Sequence, residues 1–511
     1  MAENSRKFRT WIGFLAMSGG TFMAVLDTQI VAGSLPEIGA SLGATVKEAS
    51  WIQTAYMIAE VIMIPLAGWL SRSMSLRYLY SLACALFTLA SLLCAFAWSI
   101  ESIIVIRVLQ GLCSGIIAPL LYQAIYLMFP RERQAGVTLY VVMIISLAPI
   151  IGPTLGGWIT QTLSWRWLFL INLLPGVLVT ASVFGLVRDA GPKWDLLKQF
   201  DLPGIVLAAL FLGCLEYVLG EGRDNEWFDS HLIVFLAVVA AISALLLVWR
   251  ELACRHPVIN LRTFCDRNFA TGCLLNFIMG VGLFGSGYLM TLFLSTVKGY
   301  NSQQIGQVMM VPGITMLLTL PLVRIVRQYL ESRTCLAIGL AMFGFALWTN
   351  GSLTAEIGFE HLFLPQVLRG LAIILCLSPI TELALGRLSI EAVPNASGLY
   401  SLMRSLGGGI GIAVINILAE QRMALHHQRL AEALNPSRFP VGELLDQLEV
   451  PFAGSMVDLE QARQGGVKLL AMLVRRESLV MAYNDMWLLV AALFGMMLLL
   501  IPVVQKVERR S

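Results

Sequence analysis

The stretch Ala148-Pro149-Ile150-Ile151-Gly152-Pro153-Thr154-Leu155-Gly156-Gly157 decides how this chain is built. It lies in an apolar run, 137–159, that is long enough to cross a bilayer as a helix. Each proline bends the helix, and each glycine lets a neighbouring helix approach closely. Within a membrane, the backbone groups freed by the bend must be covered by protein or by a wet cavity. The stretch therefore predicts either a kinked packing helix or a helix beside such a cavity.

The composition indicates an integral membrane protein. Of the 511 residues, 57% are hydrophobic and only 13% are charged, whereas about a quarter of the residues in ordinary soluble proteins are charged. The nine cysteines form no Cys-x-x-Cys pair, and most of them lie inside apolar runs. We therefore expect neither disulfides nor a metal site, and no cofactor.

The hydrophobic pattern predicts an all-α protein with fourteen membrane spans. The first run is interpreted as a retained helix, because it has no clear cleavage site and carries Asp27 at its far end. The predicted limits are 11–33, 50–70, 78–98, 102–128, 137–159, 165–187, 202–220, 231–249, 269–293, 305–323, 334–352, 362–386, 398–419 and 480–503.

The distribution of basic residues predicts the orientation. Lys and Arg are concentrated in the segments on the same side as the N-terminus. The short loops on the opposite side hold only Lys47, Arg166, Arg223 and Lys298. By the positive-inside rule, both termini are expected in the cytoplasm.

Internal similarity predicts two related halves. Arg107-Val-Leu-Gln-Gly-Leu112 in span 4 resembles Gln366-Val-Leu-Arg-Gly-Leu371 in span 12, and Ser146-Leu147 with Gly152 resembles Ser405-Leu406 with Gly411. These pairs match if spans 7 and 8 are an insertion. The predicted division is a six-helix half, 1–190, two linker helices, 191–262, and a second six-helix half, 263–511. Repeated halves are typical of secondary transporters.

Several motifs resemble those of one transporter family. Gly152-Pro153-x-x-Gly156-Gly157 looks like the fifth-helix antiporter motif of the major facilitator superfamily. Leu26-Asp27-Thr28, Trp51-Ile52-x-Thr54-Ala55-Tyr56 and Trp165-Arg166-Trp167 resemble motifs of its fourteen-helix drug:proton antiporters. The likeness to EmrB-type multidrug efflux pumps extends to Glu226-Trp227-Phe228 and to His426-His427 with Asn435-Pro436. The antiporter motif so assigned comprises Pro149, Gly152, Pro153, Gly156 and Gly157.

Ionisable residues inside the spans are the candidate functional groups, because a charge in hydrocarbon is costly unless it is paired or wet. The resemblance assigns proton coupling to Asp27 and Arg107; the alternatives are a helix-end group and a structural bond to backbone carbonyls. Glu60 and Glu382 are more specific to this chain, and we expect both to face a central cavity as proton or cation sites. The alternative for Glu60 is a carboxylate that accepts a hydrogen bond from a neighbouring hydroxyl or amide. Glu216 is expected to reach water near the end of its helix.

The predicted substrate cavity combines residues from both halves. It comprises Tyr56, Glu60, Gln110, Gln366, Arg369, Glu382 and Arg404.

The long segment 420–478 is predicted to form an external loop. Apolar residues at helical spacing indicate two amphipathic segments, separated by Pro436, Pro440 and Pro451. They would lie on the membrane or bind a partner, and His426-His427 would lie on a solvated face. The resemblance implies that the partner is an EmrA-like periplasmic adaptor leading to a TolC-like outer-membrane channel.

The function expected from the resemblance is proton-coupled export of amphipathic drugs across the bacterial inner membrane by alternating access. The substrate's identity is left open, and export of an endogenous metabolite, such as a siderophore or fatty acid, is the alternative. A membrane receptor or assembly subunit without transport is less favoured because of Asp27 and Arg107. We expect no enzymatic activity, since neither a P-loop nor a nucleophile–base arrangement is apparent, and no nucleic-acid partner.

Overall fold

The computed structural model describes most of the chain. The described residues are 2–189, 191–192, 195, 201–225, 227–254, 257–434, 443, 447 and 459–503. Of the residues quoted above, Glu226, Asn435 and the three prolines of the predicted loop lie outside this set, as do the side chains of Pro149 and Pro153. None of the described residues is in a β-strand.

Fourteen long helices, numbered in chain order, make up the described protein. They are α1 Ala2–Ala32, α2 Val46–Met74, α3 Leu76–Ala95, α4 Ile100–Met128, α5 Arg131–Thr162, α6 Leu173–Leu186, α7 Leu202–Glu221, α8 His231–Ala253, α9 Arg267–Leu292, α10 Ser302–Tyr329, α11 Ser332–Asn350, α12 Phe359–Leu385, α13 Val393–Ala433 and α14 Leu459–Leu498. Short helical segments are Leu35–Ser41, Trp167–Leu170, Arg223–Asn225, Trp227–Asp229, Leu261–Cys265, Phe293–Val297 and Ile501–Val503.

The helices confirm the predicted spans one by one. In the described part of the chain, 13 helices are long and apolar enough to cross a membrane, with the segment Trp167–Leu186 counted as one. The fourteenth is α5, whose 32 residues exceed the length needed for a bilayer. The chain is therefore an all-α, multi-span membrane protein.

The two predicted halves, 1–190 and 263–511, have matching helix contacts. In the first half α2 packs on α4 and α1 packs on α5; in the second half the equivalent pairs are α10 on α12 and α9 on α13. The halves meet where α2 contacts α13 and where α5 contacts α10, as a two-fold relation requires. The linker helices α7 and α8 pack on each other, and α7 covers the seam between α2 and α13.

The glycines of the opening stretch bring α5 against α1. A Cβ at Gly156 would lie only 2.7 Å from Cγ2 of Ile30, and one at Gly152 would collide with the side chain of Gln29. Thr154, between them, contacts Gly306 of α10 in the other half. The glycine face of α5 therefore packs closely on α1, as expected for a packing helix. Helix α5 also contributes to the contact between the halves.

The segment predicted as an external loop is helical over much of its described length. Helix α13 continues to Ala433, and α14 begins at Leu459, so each has about twice the 20 residues that a bilayer requires. Residues 420–433 are rich in Ala, Leu, Glu, Gln and Arg, which favour helix and give no reason to stop at the membrane surface.

His426 was predicted on a solvated face, and this prediction was wrong. Its side chain is 6% exposed, and its Nε2 lies 2.8 Å from Oδ2 of Asp485 on α14. The neighbouring His427 is exposed. The two helices approach each other at this point, and one face of α13 is buried there.

Candidate functional site

A buried ion pair lies at the centre of the first half. Arg107 of α4 donates from Nη1 to Oδ2 of Asp27 on α1 at 2.6 Å, and both side chains are 0% exposed. The structure thus brings together the two residues that the sequence proposed as partners. Their role in coupling remains a prediction.

Neutral side chains complete the hydrogen bonding of this pair. Asn172, directly before α6, donates from Nδ2 to Oδ1 of Asp27 at 2.7 Å. Gln110 accepts from Arg107 Nη1 at 2.8 Å and donates to Ser91 Oγ at 3.2 Å. Because Asn172 also donates to Ser91 at 3.0 Å, the network is closed. Sequence reasoning did not predict the contact of Asn172 with Asp27.

Arg107 also has acceptors on α2. Its Nε donates to the carbonyl of Ile52 at 3.3 Å, and its Nη2 lies 3.5 Å from Oε1 of Gln53. The ring of Tyr56 faces the guanidinium, with 3.9 Å between Cζ and the ring centroid. The cation is therefore held by α1, α2 and α4 together.

The geometry shows what a change in the charge of Asp27 would alter. Two buried charges without water are favourable only when they are paired and fully hydrogen-bonded. Protonation of Asp27 would cancel the attraction to Arg107, and the guanidinium would retain Gln110, Ile52 and the ring of Tyr56. A proton on this carboxylate therefore changes how strongly α1 is held to α4.

Glu60 lies halfway along α2 and is half-buried. Its Oε1 accepts from the hydroxyl of Ser114 on α4 at 2.8 Å. No salt bridge to Glu60 is recorded in the described part of the chain. The structure supports the alternative of a satisfied carboxylate, and one oxygen still has acceptor capacity for a further partner.

Arg404 connects the halves near Glu60. From α13 it donates through Nη1 to the hydroxyl of Tyr122 on α4 at 2.8 Å, and its Cζ lies 5.5 Å from that ring. The rings of Tyr122 and Tyr400 have centroids 5.6 Å apart. Arg404 and Tyr122 therefore face each other across the boundary between the halves.

Glu382 does not join this group. It lies one turn before the end of α12, where its Oε2 accepts from the hydroxyl of Ser332 at the start of α11 at 3.2 Å. Gln110 belongs to the ion-pair network rather than to an open cavity. Gln366 and Arg369 are buried on α12, at 0% and 5% exposure.

Glu216 is buried, contrary to the expectation that it reaches water. Its side chain on α7 is 6% exposed. Its Oε2 lies 3.6 Å from where a Cβ would stand on Gly409 of α13. The expectation failed because α7 was treated as a peripheral helix, whereas it packs in the seam between α2 and α13.

The described residues include no group of three or more His, Cys, Asp or Glu that could hold a metal ion. None of the nine cysteines forms a disulfide in the described part of the chain. The chemistry available at the site is therefore that of carboxylates, guanidinium groups and hydroxyls.

Two related helical halves with ionisable groups at their interior define a membrane transport protein. The family model of the Major Facilitator Superfamily matches residues 17–412. The chain belongs to this family, and its members are transporters rather than enzymes.

Relatives and solved structures agree with this assignment. The chain is 35% identical over 476 residues to the colistin resistance protein EmrB of Acinetobacter baumannii, covering 93% of this chain and 92% of the relative. It is 29% identical over 432 residues to the fatty acid resistance protein FarB of Neisseria gonorrhoeae, covering 83% of each. The proton:xylose symporter XylE shares the fold, with a TM-score of 0.60 at 12% identity and 96% of each chain covered.

The ion pair makes a prediction about stability. Asp27→Ala leaves Arg107 buried without its partner, a change that costs about 3–5 kcal/mol. We expect a lower thermal unfolding midpoint for the purified protein in lipid nanodiscs. Asp27→Asn should be milder, because an amide oxygen can still accept from Arg107.

The double variant Asp27→Ala, Arg107→Met tests whether the unpaired charge of Arg107 causes this loss of stability. Removal of the unpaired cation should restore part of the midpoint lost in Asp27→Ala. The single variant Arg107→Met is measured as well. If the midpoint losses of the two single variants simply add in the double variant, the side chains do not stabilise each other, and the assignment of a stabilising pair is wrong.

Proposed function

We propose that this protein exports amphipathic compounds across the bacterial inner membrane in exchange for protons. The observation that carries the proposal is the fully buried Asp27–Arg107 pair at 2.6 Å, held in a closed hydrogen-bond network. Ionisable residues inside membrane spans are energetically costly, so a role in the transport cycle is the default interpretation of this pair.

In the proposed cycle, the two halves rock about the space between them. A proton arriving from the periplasm neutralises Asp27 and loosens α1 from α4, which favours the opposite arrangement of the halves. Release to the cytoplasm restores the pair. One charge moving through the membrane potential supplies about 2.3 kcal/mol per 100 mV, which corresponds to roughly fifty-fold accumulation.

The substrate lies, in this proposal, against Glu60, Tyr56 and Arg404. Glu60 supplies a carboxylate with no recorded salt bridge, which favours cationic amphipathic compounds. Arg404 closes one end of this space by its bond to Tyr122. Rearrangement of that bond accompanies passage of the substrate between the halves.

The long helices α13 and α14 are proposed to dock a periplasmic adaptor. Both are about twice the length of a membrane span, and in this proposal they project from the bilayer on the side opposite the N-terminus. By family resemblance the adaptor is EmrA-like and leads to a TolC-like outer-membrane channel. Both termini are then cytoplasmic, as the distribution of Lys and Arg suggests.

Export of a fatty acid or another endogenous metabolite is the second candidate. The similarity to a fatty acid resistance protein favours it. Both candidates use the same protein machinery and differ in the compound that binds.

The coupling step is tested with Asp27→Asn in proteoliposomes. The wild type should accumulate ethidium in vesicles with an acidic interior, because in pumps whose cytoplasmic face points outward the protons that leave the vesicle drive ethidium in. The variant should lose at least about 90% of this flux because its amide cannot take up a proton. Exposed Glu101→Gln is the control and should transport normally. Undiminished gradient-driven flux in Asp27→Asn would exclude this carboxylate as the coupling group.

Charge preference is tested with Glu60→Gln. Loss of the carboxylate should weaken export of ethidium about tenfold, the effect of one charged hydrogen-bond partner. Export of a neutral amphiphile should change little. Flux of both compounds is measured in the same vesicles, and an equal loss for both would show that Glu60 does not select by charge.

Adaptor docking is tested by deleting residues 435–475 and joining the ends with a Gly-Ser linker. The deletion keeps the His426–Asp485 contact, so the protein should still insert and retain its unfolding midpoint. Co-purification of an EmrA-like adaptor from the same bacterium should be lost. Undiminished co-purification would place the contact on another surface.

A further inference from the structure

The second half contains a group of buried polar side chains whose atoms lack partners. In the described part of the chain, the donors without a hydrogen bond include Nη1 of Arg369, Nε2 of Gln366 and Nε1 of Trp487. The acceptors Oδ1 of Asn350 and Oε1 of Gln366 are also unpaired. The exposures of Arg369, Gln366, Trp487 and Asn350 are 5%, 0%, 0% and 1%, respectively. Buried polar atoms are nearly always paired, so such a concentration calls for a ligand or water.

Helix packing places these side chains at one level of the second half. Helix α11 runs antiparallel to α12, and a Cβ on Gly339 would lie 2.7 Å from Sγ of Cys376. Because the two helices are antiparallel, Asn350, which follows Gly339 along α11, lies at about the same level as Gln366, which precedes Cys376 along α12. Arg369 is three residues along from Gln366 and shares its helix face.

Helix α14 brings the third donor to the same level. A Cβ on Gly351 would lie 2.5 Å from Cδ2 of Leu488. Trp487 precedes Leu488, and Asn350 precedes Gly351. The unpaired atoms thus come from three helices at one level of the second half, where α11 packs against both α12 and α14.

The internal sequence repeat indicates which group the second half lacks in comparison with the first. The sequence offset that relates Arg107 to Gln366 and Gln110 to Arg369 also relates Ser91 to Asn350. In the first half, the corresponding group surrounds the carboxylate of Asp27. The same offset leads from Asp27 to Ser286.

Ser286 cannot replace that carboxylate. It is 1% exposed, and its hydroxyl donates to the carbonyl of Leu283 in its own helix at 3.4 Å. No salt bridge to Arg369 is recorded in the described part of the protein. The second half therefore has a cation and neutral donors but lacks the anion that completes the first half.

We infer that Arg369, Gln366 and Trp487 form a binding site for the carboxylate of an anionic amphipathic ligand. The two carboxylate oxygens can accept from the guanidinium, the amide and the indole, and the negative charge neutralises the buried cation. The apolar tail would lie among the surrounding hydrophobic side chains. The inference rests on the proposed export function, because it treats the ligand as a substrate, and it gives the two halves sites of opposite charge preference.

Matched ligands of one tail length test the charge requirement. The protein in lipid nanodiscs is heated with dodecanoate, methyl dodecanoate, dodecyltrimethylammonium or acetate, each well below any micelle-forming concentration. A ligand that binds the folded state raises the unfolding midpoint with concentration, and the dependence gives its affinity. Dodecanoate should stabilise the wild type more than its neutral ester does. Equal stabilisation by the ester would overturn the inference, and equal stabilisation by acetate would assign the site to a small anion and overturn the substrate assignment.

Variants then locate the site. Arg369→Gln should weaken dodecanoate binding at least about tenfold, the loss expected for a charge-assisted hydrogen bond, and leave dodecyltrimethylammonium binding within about twofold. The exposed Arg324→Gln is the matched control and should behave as the wild type. Loss of both ligands in Arg369→Gln would indicate a structural role and contradict the inference.

Gln366→Met provides a second test that does not depend on folding of the arginine variant. If the amide is only a buried group without a partner, its replacement by an apolar side chain of similar shape is neutral or stabilising, and dodecanoate binding is unchanged. If the amide binds the carboxylate, dodecanoate affinity falls by about tenfold. Unchanged affinity would overturn the inference.

Ethidium flux driven by a pH gradient is measured in the same preparations. Failure of the wild type to couple ethidium to protons would contradict the proposed function, whereas the dodecanoate measurements decide the anion site separately.

Discussion

The burial of one ion pair constrains the whole first half of this protein. Asp27 and Arg107 are completely enclosed, and a charge pair in that environment is stable only if every polar atom around it finds a partner. Four helices and the residue before α6 supply those partners. Because α1, α2, α4 and the start of α6 all contact the same network, a change in the charge of Asp27 acts on all of them together.

Close packing by glycine makes this arrangement possible. Gly152 and Gly156 let α5 lie against the backbone of α1, and Gly111 of α4 lies against the backbone of α2 at Tyr56. In a membrane, where lipid is as apolar as a leucine side chain, small residues at helix contacts replace much of the hydrophobic driving force. The glycines thus set the distances at which the buried charges of α1, α2 and α4 can meet.

The linker helices have a larger structural role than an insertion requires. At one end of α7, Glu221 accepts from Thr54 of α2 at 2.8 Å. Beyond α8, the backbone of Asn260 exchanges hydrogen bonds with the side chain of Asn395 at the start of α13, at 2.9 and 3.2 Å. The pair is therefore attached to one half at one end and to the other half at the opposite end. This diagonal attachment covers the seam along which the halves would move, and it explains why Glu216 is buried.

The sequence by itself determined the membrane class, the fourteen helices and the pairing of Asp27 with Arg107, and it predicts two related halves. These features depend on local hydrophobicity, on repeat spacing and on the rule that an intramembrane charge needs an opposite charge, all of which can be read along the chain. The tertiary structure decided which polar residues share a site. It placed Asn172 against Asp27, placed Glu382 against Ser332, buried Glu216 and His426, and extended α13 and α14 into the predicted loop. These outcomes depend on how helices distant in sequence pack and rotate against one another, and an apolar helix pattern leaves that packing undetermined.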